Sequence, residues 1–439
     1  MATGRDARGK AASAKPRVVI VGSGFAGLTA LTRLARSGLA VTLVDRNTYS
    51  SFQPLLYQVA TAGLTSSDVA YPTWTAAHKT RTLFRRGEVT GVDTQARLVT
   101  LADGGELGYD YLVLATGVSA AFFGVPGAAE YSFGLYTRHD AIALRNHLMA
   151  ELEKRSEPGN DSLPRKENGP DQGQLGITIV GGGATGVELA GTLAELRNIA
   201  LPASFPLIDR QQIRITLVEL GPALLAPFSE HLREYAKAEL VKRGVDIQLN
   251  TKIERVERDR VVLADGSELA SDLTVWAAGI AGAEWIGKLG LPTGHGGRLL
   301  TGADLRVTGQ DRVFAVGDIG VIDGDPLPQL AQPAIQQGRH VADQIKKIEA
   351  GRPTVPFRYH DKGQMATIGH RSAVVDLPSK IRIKGTIAWL AWLGLHLFYL
   401  LGNRNRISAL VNLSWRYFTW SRGGGVIIGD TDTGPGFTA

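Results

Sequence analysis

The chain has 439 residues, 44% of them hydrophobic and 21% charged, with 53 glycines and a net charge of +6. That length is enough to bury a large core and to divide into two or three domains. There is no cysteine, which excludes disulfides, thiolate metal sites and every thiol mechanism; the nine histidines are scattered and predict no metal site.

Residues 1–16 are small, basic and without an apolar core, which predicts a disordered tail and not a secretory signal; a short organellar transit segment is the other reading. Arg17 to Val21 then reads as a buried parallel strand. It runs into the turn Gly22-Ser-Gly-Phe-Ala-Gly27, a helix from Leu28 to Ser37, and a second strand from Ala40 to Val44 that ends in Asp45. Residues Asp110 to Gly117 form a further short strand closing in a tight turn.

Residues 156–173, rich in Pro, Gly, Asn and charge, are expected as a surface loop. The grammar of the first unit recurs after it. A strand from Gly176 to Val180 meets the turn Gly181-Gly-Gly-Ala-Thr-Gly186, a helix to about Leu196, and a strand from Ile213 to Val218 ending in Glu219. An insertion at 198–212 lengthens this crossover, and Trp276-Ala-Ala-Gly279 parallels the earlier tight turn. Two copies of one unit imply two nucleotide sites. Asp311 to Asp318 is one more strand ending in an acid, and beyond about residue 365 the chain turns apolar, aromatic and basic.

Each glycine turn sits between a buried strand and a helix, as a dinucleotide fingerprint requires. Gly22 and Gly181 permit the tight turn, Gly24 and Gly183 let a pyrophosphate approach, and Gly27 and Gly186 let helix and strand pack closely. Each helix N-terminus then offers free N–H groups to phosphate. Asp45 is placed for the ribose hydroxyls of an adenosine. Glu219 is placed for a ribose 2′-OH and would repel a 2′-phosphate, which favours NADH over NADPH. Asp318, just after Gly317, suits a flavin ribityl chain, so FAD is expected on the first unit, with Thr116 and Gly117 joining its set and Gly279 joining the NADH set. An ordinary strand-end acid in a turn is the plainer reading of Asp318.

This pattern, with Ala115-Thr116-Gly117 and Gly317-Asp318, resembles the two-dinucleotide-domain flavoproteins over about residues 17–345. The resemblance implies an α/β fold of two Rossmann-like domains, the FAD domain split by an inserted NAD domain: residues 17–125 and 290–345 for FAD, 126–289 for NADH. Residues 346–425 would form a membrane-association region of amphipathic helices and 426–439 a flexible tail. The branches that need a reactive thiol, including disulfide reductases and sulfide:quinone oxidoreductases, are excluded by the missing cysteines.

A narrower resemblance is to type II NADH:quinone oxidoreductases, the single-subunit enzymes that do not pump protons. It is carried by Phe52-Gln-Pro-Leu-Leu-Tyr-Gln-Val-Ala60, Gly183-Ala-Thr-Gly-Val-Glu-Leu-Ala-Gly191, Ala331-Gln-Pro-Ala-Ile-Gln-Gln-Gly338 and the stretch from Lys384 to Arg406. It implies that Glu188 is the acid near the nicotinamide and quinone approach and that Gln332 and Gln336 form the quinone end of the site. It also makes Lys384 the basic residue near that opening, with Lys380 close enough to leave the register open. Each has a plainer reading: Glu188 as a complement to its helix N-terminus, the glutamines as surface amides on one helix face, and Lys384 as one of several contacts to lipid phosphate. The implied partners are NADH, a membrane quinone, an anionic lipid surface through residues 380–422 and a second copy of the chain, with no nucleic acid. The implied position is peripheral, on the cytoplasmic face of the membrane.

The C-terminal stretch carries its own signal. Leu377 to Ile428 has no Asp or Glu and seven Lys or Arg, and holds Trp389, Trp392, Trp415 and Trp420. Trp389, Trp392, His396 and Tyr399 fall on one helix face. The apolar run 387–401 is shorter than the roughly 20 residues that cross a bilayer, so it is expected to lie in the membrane interface, a core or dimer face being the alternative. A soluble NAD(P)H-dependent ferredoxin-type reductase, or a dinucleotide-sensing protein without turnover, is the rival to the whole reading.

Overall fold

A computed structural model of the chain describes residues 15–156 and 174–419. The expected 1–16 tail up to residue 14, the 156–173 loop beyond its first residue, Trp420 and the 426–439 tail lie outside the described residues.

Among the described residues, 15–48, 72–118 and 282–359 cluster into one unit. Its sheet is parallel, in the order Val313–Ala315, Tyr111–Leu114, Arg17–Val21, Ala40–Asp45, Leu83–Arg86. Val18, Ile20, Leu43, Leu112 and Leu114 are fully buried, as continuous apolar runs must be in a parallel sheet covered on both faces. The antiparallel meander Val89–Asp93, Leu98–Leu101, Glu106–Gly108 precedes Tyr111–Leu114. Helices Phe25–Leu34 and Ala331–Glu349 pack against one another. The edge strand Val313–Ala315 arrives only after the second unit's sheet is complete, so this domain is split as the fold class requires.

Among the described residues, 49–71, 119–156, 174–281 and 360–419 cluster into the other unit. Its parallel sheet runs Ser132–Gly134, Leu273–Trp276, Leu175–Val180, Ile213–Val218, Asp246–Gln248. The meander Ile253–Val256, Arg260–Leu263, Glu268–Ala270 again precedes the strand beside the central one. The two sheets therefore repeat one design, with one difference: here the edge strand Ser132–Gly134 comes before the glycine turn.

Two further segments complete this unit. Residues 49–71 carry the short helix Leu56–Ala60, which packs on helices Arg138–Ser156 and Ala184–Glu195. After residue 360 the chain forms the antiparallel sheet Gln364–Gly369, Ser372–Asp376, Arg382–Lys384. The first of these strands lies against helix Ala184–Glu195, so closely that a Cβ on Gly191 would stand 2.4 Å from the Ile368 carbonyl oxygen. Helices Thr386–Tyr399 and Asn403–Thr419 follow, the break falling at Gly402 with φ of +85°. Among the described residues no helix is long and apolar enough to cross a membrane.

Candidate functional site

In the first unit the expected residues gather at the C-terminal ends of the parallel strands, where ligands of open α/β sheets bind. A Cβ on Gly27 would come 1.9 Å from the Gly22 carbonyl oxygen, whereas one on Gly24 would meet nothing within 4 Å. Helix and turn are thus locked together while the middle of the loop stays open. Gly24 caps helix Phe25–Leu34 without a side-chain hydrogen bond, so the first amides remain available to an anion. Asp45 ends its strand and binds this loop: Oδ2 accepts from the Ser23 amide and hydroxyl, each at 2.7 Å, and Oδ1 accepts from the Asn47 amide at 2.7 Å.

Thr116 follows the strand Tyr111–Leu114, and its hydroxyl is buried with no hydrogen-bond partner. Gly117 turns with φ of +67°. Gly317 and Asp318 follow Val313–Ala315, and Gly317 lies where an added Cβ would be 3.3 Å from Ala26 of the first glycine helix. Arg298, itself buried, donates to the Asp318 carbonyl at 2.6 Å. Gln332 and Gln336 share one partly exposed face at the start of helix Ala331–Glu349. The neighbouring Gln337 was not among the expected residues. It is buried, and its Oε1 accepts from the Gly317 amide at 2.6 Å, tying this helix to the turn that carries Asp318. Its place beside Gly338, on the buried phase of the helix, is the signal that separates it from Gln336.

The second unit repeats the arrangement. A Cβ on Gly186 would come 1.9 Å from the Gly181 carbonyl oxygen, and one on Gly183 would meet nothing within 4 Å. Glu219 accepts from the Gly182 amide at 2.5 Å and from the Gly221 amide at 2.6 Å. Gly279 lies beside the exposed Phe123, whose ring tip would stand 2.4 Å from a Cβ placed there.

Glu188 lies on helix Ala184–Glu195 and is 8% exposed. Its Oε1 accepts from the Thr367 amide at 3.3 Å. Burial pushes its carboxyl up to about 8, against the opposing pull of the Thr367 amide and the Trp392 indole, so at neutral pH it is a protonated acid that can donate. Lys384 lies on the short strand Arg382–Lys384. That side chain is exposed, with its ammonium 5.2 Å from the centre of the Tyr235 ring, and Lys380 sits exposed in the turn before it.

Trp389, Trp392 and His396 do share a helix face, but it is turned inward, which corrects the expectation that this stripe meets lipid. Trp392 is 1% exposed and stacks on His396 with ring centres 4.2 Å apart. Tyr57 and Phe52 stand 6.3 Å and 6.2 Å from Trp392 and His396 respectively. Burial pulls His396 down to about 4, and its Nδ1 is 2.7 Å from the Trp392 carbonyl oxygen. The outward face carries Ile387, Leu390 and Phe398, with Ile407, Val411 and Trp415 on the next helix, all exposed.

Comparison with known proteins supplies the family. The model for pyridine nucleotide-disulphide oxidoreductases matches residues 16–338. Two Mycobacterium tuberculosis proteins, the type II NADH:quinone oxidoreductases Ndh and NdhA, are 36% and 38% identical to this chain, covering 93% and 91% of it and 89% and 87% of themselves. The chain belongs to the type II NADH:quinone oxidoreductases. A Staphylococcus haemolyticus member of that family is 31% identical over 82% of this chain and 89% of its own. The NDH2 structure from Plasmodium falciparum in complex with NADH shares the fold, with a TM-score of 0.84 at 20% identity over 94% of this chain and all of that one. So does the Aquifex aeolicus sulfide:quinone oxidoreductase, at 0.72 and 18% over 92% of this chain and 95% of that one. With no cysteine in the sequence, what this chain shares with the disulfide branches is the scaffold and not their thiol chemistry.

Proposed function

We propose that this chain passes two electrons from NADH through bound FAD to a quinone, without moving protons across a membrane. The observation that carries the proposal is the doubled open glycine turn, each copy with its own acid, in a chain of this family. The first unit fits FAD: the middle of its loop is open at Gly24, the helix behind it has no side-chain cap, and the Thr116 hydroxyl is buried without a partner. Gly22, Gly24, Gly27, Asp45, Thr116, Gly117, Gly317 and Asp318 would hold it. Bound there, FAD supplies the two-electron chemistry that links a hydride donor to a quinone.

The chain's own groups do the rest. Gly181, Gly183 and Gly186 seat the NADH pyrophosphate, Glu219 takes the ribose hydroxyl and turns away a 2′-phosphate, and Gly279 joins the same NADH set. Glu188, protonated at neutral pH, holds a proton at its carboxyl that it can offer to a quinone oxygen. Gln332 and Gln336 present amide groups from a partly exposed helix start. Gln337 acts behind them by fixing the turn at Gly317.

The outward apolar side chains of the last two helices, beside exposed Lys380, Arg382, Lys384 and Arg404, support a peripheral seat on an anionic membrane. Lys384 belongs to that lipid-facing set. The proposal extends to the cytoplasmic face and a homodimer, which the family resemblance implies. The test is an anaerobic flavin titration: NADH should bleach the bound flavin and a short-chain quinone should restore its colour. A flavin that NADH leaves oxidised, or a reduced flavin indifferent to quinone, refutes the proposal.

A further inference from the structure

We infer that Trp392 is a positioning residue for Glu188, its indole N–H holding the carboxyl so that the first C-terminal helix sets when that group releases its proton. The inference rests on the reading of Glu188 as the acid that serves the quinone.

Trp392 is among the largest fully buried side chains, and its indole nitrogen lies out of solvent without a full hydrogen bond. An indole N–H can only donate, and a buried donor left unsatisfied is costly. The group it faces is the Glu188 carboxyl. That carboxyl is held from the other side by the Thr367 amide at 3.3 Å, a long contact that leaves the acid room to shift. The indole itself is fixed: it stacks on His396 at 4.2 Å, Tyr57 stands 6.3 Å away, and His396 bonds back to the Trp392 carbonyl. The helix therefore delivers one rigid donor to one loosely held acid.

Among the described residues the influences on the Glu188 carboxyl are burial, the Thr367 amide and the Trp392 indole, with no ion pair among them. Strand Gln364–Gly369 offers the Thr367 amide, helix Leu56–Ala60 offers Tyr57, and helix Thr386–Tyr399 offers Trp392 and the neutral His396. Beyond Glu188 the charge on helix Ala184–Glu195 is Glu195 at its far end, paired with Arg243, which also reaches Glu239; Arg197 follows it, bonded to the Gly244 carbonyl, and Glu219 stands at the N-terminal turn, bonded to the Gly182 amide. Helix Glu230–Lys242 otherwise turns Tyr235 to Ser372 and Lys384. A donor that favours the carboxylate is then the adjustable influence on Glu188, opposing burial. Removing it should leave the acid protonated to higher pH.

The experiment follows the Glu188 carboxyl by infrared difference spectroscopy across pH in the FAD-loaded protein, with Glu188→Gln to identify the band. Trp392→Phe should raise the midpoint from about 8 by about half a unit or more. The basic limb of the kcat/KM profile for a short-chain quinone should move with it. Because Phe is smaller than the buried indole and leaves a void, the N–H-free isostere benzothienylalanine at position 392 is the second variant, and it should reproduce the shift with melting temperature and flavin content unchanged. A midpoint that stays in place in the isostere overturns the inference. Quinone turnover that is absent while the carboxyl midpoint shifts would sink the quinone reading and leave the Trp392–Glu188 coupling standing.

Discussion

Ser408 Oγ donates a 2.5 Å hydrogen bond to the buried carboxylate of Asp68. Asn412 Nδ2 donates to the other oxygen at 2.8 Å, the Thr65 amide joins it at 2.9 Å, and Asn405 Nδ2 reaches the Ala70 carbonyl at 2.8 Å. Beside buried Ala409 and Leu413, this polar clamp seats the last helix on the 65–70 loop and leaves its apolar side chains facing out.

Asp68→Ala removes the acceptor of three of those bonds and should weaken docking of the helix by about 1–3 kcal/mol. Limited proteolysis should then cut beyond Gly402 markedly faster, while Asp68→Asn, which keeps one carbonyl acceptor, falls between. Equal protease resistance in all three proteins would mean that apolar packing alone holds the helix.

The two glycine turns should fail separately. An added methyl at Gly27 or at Gly186 meets a carbonyl oxygen at 1.9 Å, and backbone on both sides leaves little room to yield. Gly27→Ala should lower FAD retention about tenfold or more, equivalent to about 1.4 kcal/mol, read from flavin absorbance after gel filtration. Gly186→Ala should keep its flavin and raise the KM for NADH by a similar factor. Flavin loss in the second variant alone would reverse the cofactor assignment.

Much of this was legible because the constraints are local. A buried strand, a turn that only glycine can close and an acid at the next strand's end all fall within a few dozen residues, so both units and Asp45 and Glu219 could be read directly. What escaped was non-local. Strand Gln364–Gly369 owes its place to helix Ala184–Glu195, far away in the chain, and residues 49–71 cluster with the second unit through contacts that no spacing announces. Gln337 differs from Gln336 only in helical phase. The face shared by Trp389, Trp392 and His396 was readable, but helix Thr386–Tyr399 is apolar nearly all round, so its pattern did not tell the buried side from the exposed one.

Glu188 and His396 should pull stability in opposite senses with pH. The Glu188 carboxyl is raised from its ordinary 4.5 to about 8. Between those values the folded protein keeps a proton that the unfolded chain has lost, so this contribution is present below 4.5 and fades as pH rises to 8. His396 is lowered from 6.5 to about 4, so its contribution is present above 6.5 and fades as pH falls through 4. The melting temperature of Glu188→Gln should gain on the parent protein steadily from pH 5 to pH 8, reflecting on the order of a few kcal/mol. His396→Phe should flatten the acid limb. Parallel melting curves for Glu188→Gln and parent across that range would contradict the buried, protonated acid.

Glu219 should govern the choice of nucleotide. Its carboxylate is held in place by two backbone amides and would meet a 2′-phosphate as a like charge. Glu219→Gln should narrow the NADH-to-NADPH ratio of kcat/KM about tenfold or more, chiefly through NADPH, as one removed repulsion of about 1.4 kcal/mol allows. An unchanged ratio would place the discrimination elsewhere.

Transfer from NADH to quinone is read out by anaerobic steady-state turnover of the purified, FAD-loaded protein with NADH and a short-chain quinone. One quinone should be reduced for each NADH consumed. NADH consumed only when a one-electron protein acceptor replaces the quinone, or no turnover despite bound flavin, would contradict it.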